Sequence, residues 1–340
     1  SKSDIAAVSS GTSGEPVFWP RGGFQEFEAA VIHELLYRYL FEIDKHKTIA
    51  IIGFPMGVYV SGVATLLPSW LVSQKGYEMT VVSAGNNKQE ILRAVRSLRD
   101  LYEQVVLIGH PFFIKDVIKS GRNEGISWSG RRLRMLLCSE GVNEDWRRFV
   151  AEEAGISCEG SIINTYGSSE MLLIGYETPL SVSLRDFLTD PEAVCFQYNP
   201  FLRYIEEVNG EFIFTVASGV PLVRFNLRDS GRLMSFKEGV QLVGSGSSKP
   251  LWKLPFLILS GRSDQTLVFY AANIYPEHIR SALQSEQFLG LVTGRFVMSK
   301  GYLENKDEFL EINIELAQGA IPGDEVSSSI KDHIVQHLRK

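Results

Sequence analysis

A stretch rich in hydroxyl groups and glycine lies near the amino terminus. Main-chain N–H groups in such a loop can turn towards an anion while hydroxyl groups donate to phosphate oxygens, so the composition predicts a phosphate-binding loop. It is not a Walker loop, because no Gly-Lys-Ser/Thr follows and Val17-Phe18-Trp19 favours a strand. On composition alone, an ordinary surface loop is the alternative. The stretch comprises Ser9, Ser10, Gly11, Thr12, Ser13, Gly14, Glu15 and Pro16.

A second polar segment follows an apolar run in the middle of the chain. The carboxyl end of a strand in an α/β sheet is where such folds bind ligands. The ring of Tyr166 is suited to stacking on a base, Ser169 to reaching a phosphate, and Glu170 to holding Mg²⁺. Taken singly, Tyr166 is more typical of a half-buried core tyrosine and Glu170 of a solvated charge. The segment comprises Asn164, Thr165, Tyr166, Gly167, Ser168, Ser169 and Glu170.

Three further segments continue this pattern along the chain. They are Cys138-Ser139-Glu140-Gly141, then Arg224-Phe225-Asn226-Leu227-Arg228-Asp229, then Gly261-Arg262-Ser263-Asp264 with Asn273-Ile274-Tyr275-Pro276 after it. Together with the first two, they resemble the ordered motifs of the adenylate-forming superfamily, which comprises acyl-CoA synthetases, peptide-synthetase adenylation domains and luciferases. The last segment looks like the hinge motif of the phenylacetate–CoA ligase branch. The resemblance covers nearly the whole chain, and five motifs in order are far more specific than any one.

The resemblance implies a role for each matched residue. Asp229 would grip both ribose hydroxyls, a use that suits a carboxylate because it accepts two hydrogen bonds from a diol. Asp264 would be the pivot of a C-terminal lid. Taken singly, Asp229 is also typical of a turn before Ser230-Gly231, Asp264 of a cap and Arg262 of a surface ion pair. Catalytic roles fall to Glu170, Ser169 and Arg262, and nucleotide contacts to residues 9–14, Ser139, Glu140, Gly141, Asn164, Tyr166, Gly167, Asp229 and Arg262.

The sequence departs from the family pattern at both ends and in two turns. Only residues 1–8 precede the hydroxyl-rich loop, and the loop lacks a lysine, so Mg²⁺ would supply more of the phosphate neutralisation. No Gly-Lys strand follows residues 337–340, so the lysine that relatives use for adenylation is not identified. Arg228 and Ala271 replace glycines. The methyl group of Ala271 is expected to crowd the passage of pantetheine, which disfavours transfer to coenzyme A.

The pocket for the acid is less well specified. Phe54, Tyr59, Phe112 and Phe113 fall just after predicted strands, where the pocket should open, and aromatic walls favour a planar aryl acid. Any one of them is more typical of core packing. The shortened layout resembles the adenylating proteins of phenazine antibiotic pathways, in which the carboxylate would be griseoluteic acid.

Charge and cysteine content limit the classes of partner. The net charge of the 340-residue chain is -6 and no basic stripe occurs, so neither nucleic acid nor an anionic membrane is an expected partner. Cys138, Cys158 and Cys195 stand far apart without a CxxC pair, which argues against a disulfide framework and a structural zinc site. No apolar stretch reaches the roughly 20 residues of a membrane helix, and residues 1–10 lack a secretion signal. We therefore expect a cytoplasmic protein acting on a small soluble molecule.

The elements that must position these segments alternate between short apolar runs and helical stretches. Strands this apolar are buried on both faces, and helical stretches of this length suit parallel crossovers, so the pattern predicts a doubly wound α/β sheet. A helix over residues 24–43 places Ala30, Val31, Leu35 and Leu36 at the spacing of a packed face. The predicted strands are residues 48–52, 79–82, 105–108, 133–137 and 162–163, and the predicted helices between them include residues 58–72 and 89–101.

The second half of the chain predicts a change of architecture. Two strands, residues 212–216 and 222–225, with Asn-Gly and Asp-Ser-Gly turns, indicate a β-rich subdomain from about residue 195. Residues 244–250 predict a surface loop. Strands near residues 310–316 and a helix over residues 324–338 indicate a small α+β lid. The expected domains are an AMP-binding domain, residues 1–262, and a C-terminal lid domain, residues 263–340.

Three functional hypotheses follow. The leading one is activation of an aromatic carboxylic acid by ATP and Mg²⁺ to an acyl-adenylate, which passes to a downstream acceptor or carrier protein. The second is a catalytically weak nucleotide- or acyl-adenylate-binding protein that acts as a pathway partner. The third is a structural α/β protein whose loops imitate the family.

Overall fold

The computed structural model divides the chain into two compact units, residues 1–261 and 262–340. It describes residues 4–8, 17–190, 193–217, 219–244, 250–263, 266–283, 285–288, 291–317, 320 and 323–338. The hydroxyl-rich residues 9–14, Asp264 and most of the predicted loop at residues 244–250 therefore lie outside the described residues. The division after Gly261 falls one residue before the boundary that the sequence predicts.

The first unit is built on an 11-stranded mixed sheet in the order β10-β11-β12-β13-β9-β8-β7-β6-β5-β3-β4, with β1 and β2 as a separate hairpin. Its elements in chain order are β1 (Ile5–Val8), β2 (Phe18–Arg21), α1 (Gly23–Tyr39), β3 (Thr48–Ile52), α2 (Val60–Ser73), β4 (Met79–Ser83), α3 (Lys88–Leu98), β5 (Gln104–Gly109), α4 (Pro111–Asn123), β6 (Arg132–Cys138), α5 (Glu144–Ala154), β7 (Ile162–Ser168), β8 (Leu172–Tyr176), α6 (Pro179–Arg185), β9 (Val194–Tyr198), β10 (Tyr204–Val208), β11 (Glu211–Val216), β12 (Leu222–Met234), α7 (Phe236–Val243) and β13 (Phe256–Arg262).

The parallel half of the sheet determines where a ligand can bind. Strands β3 to β7 pair in parallel in the spatial order β4-β3-β5-β6-β7. The chain therefore runs from β3 to one side and then crosses back to β5, which makes the carboxyl ends of β3 and β5 the switch point of the sheet. Every residue of β3 and β5 is buried, as their apolar sequences predict.

Helices cover both faces of these strands. Leu36 and Phe41 from the α1 region and Val72 of α2 pack with Ile52 and Val106 on one face. The alternate residues of the same strands face the other side, where α3, α4 and α5 contribute their buried residues. The predicted α/β fold class is confirmed.

The prediction for α1 was wrong in two respects. The helix ends at Tyr39, not at residue 43, and Val31 is 47% exposed although its spacing indicated packing. The buried stripe of α1 passes through Ala29, Ile32 and Leu36, and Val31 lies away from that stripe at about 100° per residue.

The β-rich region after residue 195 adds its strands to the same sheet and curls it. Tyr166 and Met171, from the β7–β8 hairpin, share one apolar core with Phe196 of β9 and with Phe212 and Phe214 of β11. The predicted Asn-Gly turn is confirmed, since Asn209 and Gly210 join β10 to β11 with φ of 54° and 77°. The curl brings strands that are distant in the sheet order to one side of the molecule.

The second unit contains two small antiparallel sheets and two helices in its described part. Ile279, Leu283, Ile330 and Ile334 form the centre of its core. The predicted helix over residues 324–338 is confirmed. Of the strands predicted near residues 310–316, one is there, at Glu308–Leu316, and the strand that pairs with it lies earlier in the chain, at Val292–Tyr302. The elements are β14 (Leu267–Phe269), β15 (Ala272–Ile274), α8 (Pro276–Leu283), β16 (Val292–Tyr302), β17 (Glu308–Leu316) and α9 (Asp324–Leu338).

Within the described ranges, no helix combines the length and the apolar character needed to cross a membrane.

His33 should make the stability of the first unit depend on pH. Burial lowers the pKa of this histidine to about 4, although its ring hydrogen-bonds the carbonyl of Ala29 at 2.8 Å. A lowered folded-state pKa contributes stability above pH 6.5 that is lost as the pH falls towards 4, because the unfolded chain takes up the proton first. The contribution of His33 should thus fall by about 3 kcal/mol over this range.

Urea unfolding of wild type and His33→Gln between pH 4 and 7 measures this contribution as a difference in slope. Tyr37→Phe, which loses the 2.7 Å hydrogen bond to Ser69 without removing a group that titrates in this range, is the control. It should lower stability equally at every pH. Identical pH slopes for wild type and His33→Gln would contradict the assignment.

Candidate active site

The candidate residues of the first unit converge on one edge of the parallel sheet. Phe54 follows β3, Phe112 follows β5, Ser139 follows β6, and Tyr166 lies near the carboxyl end of β7. Because these four strands are parallel, their carboxyl ends meet at the same edge. The topology thus brings two of the five motifs, at residues 138–141 and 164–170, to the same edge of the sheet as Phe54 and Phe112.

The side chain of Tyr166 connects the motif on β7 to the motif on β12. Its ring stacks on Phe196 with centroids 5.7 Å apart and an angle of 23°. Its hydroxyl group donates a short hydrogen bond to the carboxylate of Asp229. Tyr166 is 9% exposed and Asp229 8%, so the contact is buried. The ring of Tyr166 thus belongs to the core, as the sequence alone would suggest. Its hydroxyl group is bonded to Asp229, which is a candidate for binding the nucleotide.

Asp229 lies on a β-bulge of β12. Glu211 pairs with Ser230 and Ile213 with Asn226, so the β12 segment between these pairs contains more residues than the matching segment of β11. Arg228 lies in this segment with φ of 66°, and its N–H donates to the side chain of Asn226 at 2.7 Å. Bulges re-aim side chains next to active sites.

The interpretation of Asp-Ser-Gly as a turn was wrong, because these residues lie inside β12. Gly231 is required in the strand because of a close backbone contact. A Cβ atom at Gly231 would come within 2.0 Å of the carbonyl oxygen of Ile258 on β13. Only glycine allows the two backbones to approach this closely.

The hairpin after Tyr166 holds Ser169 and Glu170 at the end of β7. The register between β7 and β8 shifts between Tyr166 and Gly167. A Cβ atom at Gly167 would lie 2.7 Å from the carbonyl oxygen of Leu172, so no larger residue fits. Ser169 and Glu170 are both half-buried in this turn.

The turn after β6 lies beside β7 and is stabilised by a hydrogen bond from a β7 side chain. Ser139 has φ of 87°, a left-handed conformation that is strained for a residue other than glycine. Glu140 is buried, and its carbonyl oxygen accepts a 2.9 Å hydrogen bond from the side chain of Asn164. Asn164 itself is buried. Its side chain therefore supports the turn at Ser139, Glu140 and Gly141.

The aromatic residues predicted for the acid pocket divide into three groups. Phe54 and Phe113 are buried in the core, whereas Phe112 is half-buried and Tyr59 is 53% exposed. Between them lies His110, which sequence reasoning missed. Its ring is parallel to Phe112 at 5.8 Å and edge-on to Phe54 at 4.9 Å. Burial lowers the pKa of His110 to about 4, so this aromatic stack is uncharged at neutral pH.

The strands that flank the hydroxyl-rich residues 9–14 are anchored near this edge. Val8 pairs with Phe18, and the N–H of Val8 donates to the carbonyl of Val58 at 2.9 Å. Val58 lies in the segment that follows β3. Because Val8 is bonded to this segment and Phe18 is paired with Val8, the strands before and after the predicted phosphate loop are both held near the switch point. Arg262 ends β13 and belongs to the second unit.

Four charged residues behind the site were also missed. They form a cluster of ion pairs beneath β7, in which Glu144 is half-buried and the other three, Arg147, Glu177 and Arg185, are buried. Glu177 directly follows the apolar strand β8. A charged residue at the end of an apolar strand is a signal by which the sequence analysis could have identified it. Arg147 lies on α5, whose many charged residues are typical of a solvated face, whereas Arg185 is the one charged residue of α6.

Arg228→Gly should stabilise the protein. A left-handed conformation costs a residue other than glycine about 1–2 kcal/mol, whereas glycine loses more chain entropy on folding. We expect the free energy of unfolding to rise by about 1 kcal/mol in urea unfolding experiments. Arg232→Gly on the same strand is the control, because Arg232 is exposed without a positive φ, and it should destabilise. A loss of stability in Arg228→Gly equal to that of Arg232→Gly would contradict the bulge.

Comparisons with known proteins agree on the fold. No family model matches the sequence, and no curated protein matches it. A solved structure of 2-hydroxyisobutyryl-CoA ligase with 2-HIB-AMP and CoA matches with a TM-score of 0.65 and 14% identity, over 99% of this chain and 68% of the ligase. An open conformation of that ligase matches with a TM-score of 0.57 and 13% identity, over 99% and 72%.

A malonyl-CoA ligase with methylmalonyl-CoA and AMP bound is a further neighbour. It matches with a TM-score of 0.53 and 14% identity, over 98% of this chain and 68% of the ligase. Similarity at these identities establishes architecture. The chain therefore has the mixed α/β fold of these CoA ligases.

Proposed function

We propose that the protein activates a carboxylic acid with ATP and forms an acyl-adenylate. The observation that carries the proposal is the buried contact between Tyr166 and Asp229, which joins residues of two motifs near the carboxyl end of β7. The fold adds support, since neighbouring structures hold an acyl-adenylate, 2-HIB-AMP, or AMP.

The binding of the adenosine follows from the chemistry of the side chains. Asp229 would accept hydrogen bonds from both ribose hydroxyls, and the turn at Ser139, Glu140 and Gly141 would border the base. The hydrogen bond from the hydroxyl group of Tyr166 would fix the position of the Asp229 carboxylate. Residues 9–14 and Arg262 would contact the phosphates.

A magnesium ion fits the donor set of this site. Among the described residues no cluster of three or more His, Cys, Asp or Glu side chains could enclose a metal. Mg²⁺ does not need such a cluster, because it is bound by one or two carboxylates together with substrate phosphates and water. Glu170, with Ser169 beside it, would supply the carboxylate. The ion would neutralise charge on the phosphates when bound.

The reaction is a displacement at phosphorus. A carboxylate oxygen of the acid attacks the α-phosphorus of ATP, the bond to the bridging oxygen breaks, and pyrophosphate leaves with the electron pair. Positioning and electrostatic stabilisation supply most of the rate in such reactions. Glu170, Ser169 and Arg262 are the residues that would supply them.

The acid is proposed to be aromatic. At the switch point the ring of Phe112 lies parallel to the uncharged ring of His110, and buried Phe54 packs edge-on against His110. Half-buried Phe112 is the member of this cluster that would contact a planar ring. Tyr59 and Phe113 complete the aromatic residues of this edge. Griseoluteic acid of phenazine antibiotic biosynthesis, and membership of the phenylacetate–CoA ligase branch, remain the narrower proposals from the sequence.

The second unit is proposed to act as a lid, with Asp264 as the hinge and residues 1–262 as the AMP-binding domain. Ala271, with φ of 60°, lies where relatives have a glycine, and its methyl group supports release of the adenylate to an acceptor other than coenzyme A. The acceptor would be a downstream small molecule or a carrier protein.

Acid-dependent exchange of labelled pyrophosphate into ATP tests the proposal. A panel of aryl and aliphatic acids, griseoluteic acid among them, should give exchange with one or more aryl acids, and coenzyme A should not be consumed. Nucleotide binding without exchange for any acid would overturn the enzymatic proposal in favour of a binding protein. If the protein neither binds a nucleotide nor catalyses exchange, both functional proposals fail and only the assignment of the fold stands.

Asp229→Asn should weaken ATP binding by about 10- to 100-fold, because hydrogen bonds to a charged group contribute about 1.5–3 kcal/mol. Isothermal titration calorimetry with ATP and with 2′,3′-dideoxy-ATP measures the effect. Wild type should lose affinity for the dideoxy nucleotide, whereas Asp229→Asn should bind both equally weakly. A variant that still discriminates between them would place the ribose elsewhere.

Glu170→Gln should lower kcat for pyrophosphate exchange by at least tenfold at saturating Mg²⁺ while changing the Kd for ATP much less. The amide retains the size of the side chain but loses the charge that binds the metal. Glu152→Gln, at an exposed position of α5, is the control and should leave both values unchanged. An unaltered kcat in Glu170→Gln would remove this residue from the mechanism.

A further inference from the structure

Four buried or half-buried charged residues form a closed ring of ion pairs behind the candidate site. Glu177 pairs with Arg147 at 2.7 Å and with Arg185 at 3.1 Å. Glu144 pairs with the same two arginines, at 3.2 Å and 3.0 Å. Positive and negative charges alternate around the ring, and Glu177 is 0% exposed.

The ring is bonded to the main chain of the two segments that carry the site. Arg147 donates to the carbonyl of Ile162, and Glu177 accepts a 2.7 Å hydrogen bond from the N–H of Asn164, both on β7. Arg185 donates to the carbonyl of Val142 at 2.7 Å, directly after the turn at residues 139–141.

The side chain of Asn164 closes the connection. It donates to the carbonyl of Glu140 at 2.9 Å, so the same residue is bonded to the ring through its backbone and to the turn through its side chain. Tyr166 follows two residues later on β7. The ring therefore fixes β7 and the turn after β6 relative to one another.

Stability alone does not account for this cluster. Four charges must lose hydration to enter it, and an apolar cluster of the same volume is often as stable or more stable. An apolar cluster cannot bond the carbonyls of Ile162 and Val142 and the N–H of Asn164 at once. The bonds to the main chain are the feature that only the charged ring provides.

We infer that Glu177 is a positioning residue of the nucleotide site, which acts through Arg185 and Asn164 to hold Tyr166 and the turn at residues 139–141 around one adenosine. This inference rests on the proposed function. Glu177 makes no contact with the nucleotide in this account. Its removal should therefore alter adenosine binding more than it alters binding of the acid.

The test compares Glu177→Gln with a variant that loses stability elsewhere. Leu36→Ala in the core under α1 is the control, and both are studied at a temperature well below their Tm values. Calorimetry with AMP should give a Kd at least tenfold higher for Glu177→Gln than for wild type, and an unchanged Kd for Leu36→Ala. The KM for the acid in pyrophosphate exchange should change less than threefold in either variant.

Arg185→Lys is the second variant, and it serves if Glu177→Gln does not fold. Lysine retains the charge beside Glu177 but lacks the planar fork that lets arginine also reach the carbonyl of Val142. Its Kd for AMP should rise above that of wild type, whereas that of Leu36→Ala should not.

The outcomes separate the inference from the proposed function. If wild type binds AMP and both ring variants bind it as tightly as Leu36→Ala does, the positioning inference is overturned and the proposed function stands. If wild type binds no nucleotide, the proposed function fails and the inference fails with it.

Discussion

The hydrogen bond between Tyr166 and Asp229 is the interaction on which the site depends. It joins two residues 63 positions apart that lie on strands separated in the sheet order by β8, β9 and β13. Such strands meet only because the sheet curls around the core that contains Phe196, Phe212 and Phe214. Apolar packing thus brings a phenol and a carboxylate together in a buried place, where each satisfies the other and neither is left without a partner.

The site residues lie where the regular structure is interrupted. Asp229 lies on a bulge beside a left-handed Arg228, Ser139 is left-handed after β6, and the β7 register shifts at Tyr166. A regular ladder would point these side chains alternately up and down and would use their backbone groups in the sheet. The irregularities redirect these side chains, and in the proposed account the charged ring behind β7 holds this strained part of the sheet.

The sequence predicted the parts that depend on local pattern. The fully buried strands β3 and β5, the helix over residues 324–338 and the fold class follow from periodicity and from motif order. The failures arose where distant contacts decide the conformation. Asp-Ser-Gly is typical of a turn, yet close approach of Ile258 to Gly231 keeps it in a strand. The spacing of Val31 suited a buried face, yet Val31 is exposed. The buried ion pair of Arg147 with Glu177 was missed because it joins two elements that are distant in the sequence.

The most direct test of the account is a crystal structure of the protein with an unreactive acyl-adenylate analogue. The account predicts the adenosine at the carboxyl edge of the parallel strands, with both ribose hydroxyls hydrogen-bonded to Asp229 and the base against residues 139–141. A nucleoside bound away from Asp229, with the turn at residues 139–141 untouched, would contradict it.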